Sequence, residues 1–174
     1  MDFINDKDYI QITTDQAHKR FLLECYKHAE TSRHPTTHNA ALLTRDEEIL
    51  LRGANNLPPG VRETPERLQG DNRHMFPNHA ERDVLYKAAR EGIPTNGCTM
   101  YMPWFPCINC ANGVITAGIE HLIVHKNMID RTRESWRKEL NEAVEILKEA
   151  GVRVSAYDGL VGAKAFMHGE EWDA

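Results

Sequence analysis

The spacing of apolar positions changes several times along the chain, and each change marks an element. Ala17, Phe21, Leu22, Cys25 and Ala29 recur at three- and four-residue intervals, which predicts an amphipathic helix. Thr13 and Thr14 offer hydroxyl caps before it, with Gln16 three residues past Thr13, and polar residues with Pro35 predict its end near Ser32 to Pro35. Two short apolar runs, Ala40 to Leu43 and Ile49 to Leu51, flank the polar stretch Thr44 to Glu48 and predict an antiparallel hairpin with a loop of about five residues. From Asn55 to Asn78, Pro58, Pro59, Gly60, Pro65, Gly70 and Pro77 break every period, so a long loop carrying at most one short helix is expected. Loops of that length inside a compact domain are often functional.

Helical spacing returns at Ala80, Val84, Leu85, Ala88 and Ala89 and stops at Gly92. Cys98 to Met102 reads as a strand, Pro106 to Ala117 as a helix closed by Gly118, and His121 to His125 as another strand. Trp136, Leu140, Val144 and Leu147 stripe a further helix, which Gly151 ends before a strand from Val152 to Tyr157. Alternating strands and helices predict a parallel sheet covered by helices, with the early hairpin adding antiparallel strands: an α/β fold on a mixed sheet. The chain is expected to form one domain over residues 1–174, with a core of about 14–158 and an extension at 159–174. Phe166, Met167 and Trp172 suit that extension to covering an edge or a neighbour, the other reading being a frayed tail.

Composition narrows the partners. The chain has 174 residues, with 21 Lys and Arg against 26 Asp and Glu, a formal charge of −5. That is not the basic footprint of a protein that tracks a phosphate backbone, so a small molecule is expected rather than a polynucleotide. Met1 to Ile10 carries Asp2, Asp6, Lys7 and Asp8 with no apolar core of secretory length, and no run is long enough to span a membrane; a cytoplasmic setting is expected. Of the four cysteines, Cys25 and Cys98 read as buried apolar filler.

Cys107 and Cys110 are different. At i and i+3 on a helix they lie about 60° apart around the axis, so both sulfurs reach one ion, and the positive end of the helix favours their thiolates. His79 can be a third ligand if two helix N-termini converge. Within a regular helix, positions 79 and 81 differ by about 200°, so His79 and Glu81 share a site only if His79 sits at or before the helix start, as Pro77 and Asn78 suggest. Three ligands leave a fourth position open, the mark of a catalytic zinc, with Cys98 keeping a closed structural site under consideration. Singly, His79 reads as a helix-start residue, Glu81 as the acid of a capping box begun at Asn78, and the cysteine pair as a redox couple. Together they form H-x-E…P-C-x-x-C, the signature of zinc nucleobase deaminases.

With Arg52-Gly53-Ala54-Asn55-Asn56 ending the hairpin, His79-Ala80-Glu81, and Met100 to Ala111 around Pro106-Cys107-Ile108-Asn109-Cys110, the sequence resembles the cytidine and deoxycytidylate deaminase superfamily over roughly Thr14 to His125, and most the deoxycytidylate branch. The resemblance implies a three-layer α/β/α fold on a five-stranded mixed sheet, Zn2+ as cofactor, Glu81 as catalytic proton carrier, a nucleotide or nucleoside substrate and a homo-oligomer. It also implies substrate contacts at Asn55 and Ala80. Trp104 and Phe105, which stand where that family often has small or aliphatic residues, are candidates to stack on a base, as Arg62, Arg67, Arg73 and His74 are to meet a phosphate. The implied reaction is dCMP to dUMP with release of ammonia. Another free base or nucleoside, an adenosine in transfer RNA, and a non-catalytic zinc module stand as alternatives.

Overall fold

The computed structural model describes residue 6 and residues 8–174; the reading of Met1 to Ile10 lies largely outside them. In chain order the elements are β1 (Ile10–Thr13), α1 (Gln16–Ala29), β2 (Ala40–Arg45), β3 (Glu48–Ala54), α2 (Pro65–Leu68), α3 (Asn72–Met75), α4 (Ala80–Glu91), β4 (Thr99–Tyr101), α5 (Ile108–Thr116), β5 (His121–His125), α6 (Lys126–Asp130), α7 (Glu134–Glu149), β6 (Arg153–Tyr157), β7 (Lys164–Met167) and β8 (Glu170–Asp173). The main sheet has six strands in the order β1-β6-β5-β4-β2-β3. β1, β6, β5 and β4 run parallel, and β2 is antiparallel to both β4 and β3.

The sixth strand corrects the expected five. β1 is only four residues of alternating Ile-Gln-Ile-Thr, with Ile10 buried and Ile12 exposed, and it gains its order by adding to the free edge of β6. The hairpin turn is also tighter than expected. β2 runs on to Arg45, β3 begins at Glu48, and Asp46 and Glu47 form a two-residue loop with φ of 49° and 62°, the left-handed pair of a type I′ turn. α1 starts from a different cap: Asp15 accepts from Ala17 N at 2.8 Å, while Thr13 Oγ1 accepts from Asp15 N. α1 ends at Ala29, ahead of the expected stop. The long loop holds two short helices, α2 and α3, not one.

Strand alternation sorts the core onto two faces. Ala41, Leu43, Met100, Leu122 and Val154 pack against Val84 of α4, Val114 of α5 and Leu140 of α7. Leu42, Tyr101, Ile123 and Tyr157 pack against Phe21, Leu22 and Cys25 of α1, where Ala165, Met167 and Ala174 from the C-terminal segment join them. No helix among the described residues is long and apolar enough to cross a membrane.

Strand direction sets where the chemistry falls. β3 and β4 flank β2 and are each antiparallel to it, so they point the same way and the chain leaves both at one end of the sheet. α4 follows one exit and α5 the other. Gly53 near the end of β3 lets α4 close in: a Cβ there would lie 2.6 Å from Ala80 O and 2.6 Å from Val84 N, a distance no side chain tolerates.

Candidate functional site

His79 is the N-cap of α4, with extended backbone at φ −70° and ψ 153°, and Cys107 is the N-cap of α5 at φ −68° and ψ 168°. His79 thus lies just outside the helix, which turns its ring toward the same space as Glu81 at the second helical position. Nδ1 of His79 is 3.5 Å from Cys107 Sγ and 3.5 Å from Cys110 Sγ, and the three donor atoms all lie within 4.8 Å of one another. One imidazole nitrogen and two thiols are a donor set that zinc takes, with a fourth tetrahedral position left over.

The protonation pattern of this cluster favours one thiolate, that of Cys107. A hydrogen bond from Cys110, aided by His79, pulls the Cys107 thiol down to about 4, and Cys110 is pushed up in turn because it holds the shared proton. His79 is raised by its hydrogen bond to Cys107. Glu81 is 3% exposed, and burial pushes its carboxyl up against the opposing pull of His79. Its Oε2 is buried with no hydrogen-bond partner among the described residues. A carboxyl that is enclosed, raised and left with a free oxygen is fitted to carry a proton rather than to brace the fold.

A cavity of about 80 Å³ opens over this cluster, lined by His79, Ala80, Glu81 and Cys107 together with Asn55, Trp104 and Phe105. The sequence-predicted ligands, acid and base contacts therefore meet at one place; Cys110 alone of these does not line the cavity, being fully buried while its sulfur stays within reach of His79. Asn55 is held in place from the segment before β2: its Oδ1 accepts from Asn39 N at 2.8 Å and its Nδ2 donates to Thr37 O at 2.7 Å, leaving one N–H for a ligand. Trp104 Nε1 donates to Thr132 Oγ1 at 2.9 Å, and its ring stands edge-on to Trp136 at 5.9 Å. Of the four candidates for a phosphate contact, Arg73 and His74 line the cavity. Arg62 and Arg67 do not; Arg67 donates to Arg62 O and lies over the Phe76 ring. Cys98 is remote from the metal ligands, its sulfur accepting from Arg45 Nη2 at 3.3 Å, which removes the closed four-ligand site from consideration.

Residues 15–126 match the family model of the cytidine and deoxycytidylate deaminase zinc-binding region. The chain belongs to that family. It is a zinc-dependent deaminase, and His79, Cys107 and Cys110 are positioned to hold the metal. A deoxycytidylate deaminase of Mus musculus is 29% identical over 139 residues, which span 76% of this chain and 74% of that protein. An uncharacterised deaminase encoded in the luxG 3′ region of Aliivibrio fischeri is 26% identical over 137 residues, 79% of this chain and 90% of that protein. Among solved structures, the dCMP deaminase of cyanophage S-TIM5 in complex with dCMP and dUMP superposes with a TM-score of 0.65 at 17% identity, covering 83% of this chain and 98% of that one.

The rim of this deaminase's cavity holds residues that sequence reasoning missed. His34, Trp136 and His168 all line it. His34 Nδ1 accepts from Thr36 N and Thr37 N, and burial depresses it to about 4, with the charge of His74 adding to the effect. Burial also lowers His168. A turn signal for the last of these was present: His168-Gly169, a pair suited to positive φ, separates two short runs that each carry an aromatic residue, Lys164 to Met167 and Glu170 to Asp173.

Proposed function

We propose that this deaminase converts dCMP to dUMP, releasing ammonia. The observation that carries the reading is Glu81, buried beside the converged metal ligands at the floor of the cavity with one carboxylate oxygen unpartnered. Zinc, when bound there, supplies a water nucleophile of depressed pKa. Glu81 takes the proton of the attacking water and hands it to the pyrimidine ring nitrogen N3, which makes C4 electrophilic. Oxygen adds to C4, the C4–N bond breaks, and Glu81 delivers the second proton to the departing amine. The balance is one water consumed and one ammonia released for each amine replaced by a carbonyl oxygen.

Several features support the choice of dCMP. Relatives in Mus musculus and phage T2 bear the name deoxycytidylate deaminase. The cavity offers Asn55 and Ala80 near the floor, Trp104 and Phe105 as aromatic walls, and Arg73 with His74 as basic groups at the rim. The four cysteines are all free, in keeping with a reducing, cytoplasmic setting, and assembly as a homo-oligomer follows from the family resemblance. The test is ammonia release by zinc-loaded protein from cytosine, cytidine, CMP, dCMP, dCTP, and adenine and guanine species. The highest kcat/KM is expected on dCMP. Turnover of another base or nucleoside with dCMP untouched would overturn the substrate reading and leave the deaminase chemistry standing.

A further inference from the structure

The family match ends at residue 126, but the cavity wall does not. β7 and β8 form a hairpin whose two-residue loop, His168-Gly169, has φ of 56° and 81°, and this loop is tied across to the segment before β2. His168 N donates to Thr37 Oγ1 at 3.3 Å, Gly169 N donates to Thr36 O at 2.8 Å, and Phe166 O accepts from His38 N at 2.8 Å. At the other end Trp172 Nε1 donates to Asn127 Oδ1 at 2.8 Å. So fixed, the His168 ring lines the cavity and stands edge-on to Trp104 at 5.7 Å. Its Nε2 is buried and has no hydrogen-bond partner among the described residues.

A second side chain of the same wall shares that condition. Arg73, on α3, has its Nε buried without a partner among the described residues. Two side chains lining one cavity, each with a buried unsatisfied nitrogen, are a costly arrangement unless a ligand completes it. Charge says which part of a ligand. His168 has Arg133 and His74 as its basic neighbours and Glu170 as the acidic one. A group rich in acceptors and negatively charged belongs at this rim, with the amine at the floor.

We infer that His168, at the tip of the C-terminal hairpin, contacts the substrate and, with Arg73, seats its phosphate, so that a segment beyond the family region sets the preference for a nucleotide over a nucleoside. The inference rests on the nucleotide reading above. The test compares wild type with His168→Asn on dCMP and deoxycytidine. Asn-Gly is the favoured pair in a type I′ loop, so this change keeps the hairpin while removing the imidazole; His168→Gly, also at home at positive φ, is the second variant. KM for dCMP is expected to rise about tenfold to a hundredfold, as for a lost hydrogen bond to a charged group. kcat should stay within about twofold, since binding to ground and transition states is weakened alike. Deoxycytidine kcat/KM should not move, and inorganic phosphate should weaken as an inhibitor by the same factor as dCMP. Equal losses on both substrates, or no loss on either, would overturn the inference. Wild-type protein that leaves dCMP untouched would instead overturn the reading beneath it.

Discussion

The floor and the rim of the cavity are built on different principles. At the floor, His79, Glu81, Cys107 and Cys110 come from the first turns of two regular helices, α4 and α5, whose starting points follow from the common direction of β3 and β4. At the rim, His34, Arg73, His74, Trp104 and His168 come from loops, a one-turn helix and a hairpin tip, with His34, Trp104 and His168 pinned by local hydrogen bonds. The groups proposed to perform the reaction are thus located by sheet topology, and the groups proposed to choose the substrate are located by local contacts. The first arrangement is hard to alter without losing the fold; the second can be changed one residue at a time.

Substitutions on the two sides should therefore fail differently. Cys110→Ala removes a buried ligand, and the largest effect is expected: zinc content near zero by metal analysis, with ammonia release at background. Gly53→Ala attacks the scaffold of the floor without touching a ligand, since the new Cβ meets Ala80 O and Val84 N at 2.6 Å. Overpacking of this kind costs about 1–3 kcal/mol, to be read from denaturant midpoints, and displacement of the start of α4 should lower kcat as well. A rim change, Trp104→Ala, should keep the zinc and raise KM by about tenfold, the scale of a lost base–aromatic contact, with kcat little changed. If Trp104→Ala instead lowers kcat and zinc content together, floor and rim are not separable.

The smallest effect is one of pH. His34 is neutral in the folded protein because burial lowers it from 6.5 to about 4 and because its Nδ1 accepts two backbone N–H bonds. A depressed histidine contributes stability that is complete above its ordinary pKa and is lost as pH falls toward the folded value. The thermal midpoint should therefore drop between pH 6.5 and about 4. His34→Asn should drop less steeply over the same interval, and an equal slope would show that His34 does not report on the rim.

Floor and rim also differ in how far they could be read from the sequence. H-x-E and P-C-x-x-C carry their own helix-start geometry, and the placement of His79 outside α4 follows from the rotation that separates positions 79 and 81. The parallel part of the sheet was legible from alternating elements. β1 was not, because Ile10 and Ile12 give only one alternation, and the edge of β6 that orders them is distant in sequence. His168 and Trp136 were missed because nothing local marks a rim residue; each is brought in by a contact made across more than thirty residues, to Thr37 and to Trp104.

Glu81 is the proposed proton carrier, separate from the metal ligands, and the direct measurement is Glu81→Gln loaded with zinc. The prediction is a metal content equal to wild type with kcat reduced about a hundredfold to ten-thousandfold, the range of a lost general acid–base group. A zinc-replete Glu81→Gln protein that releases ammonia at a rate near wild type would contradict it.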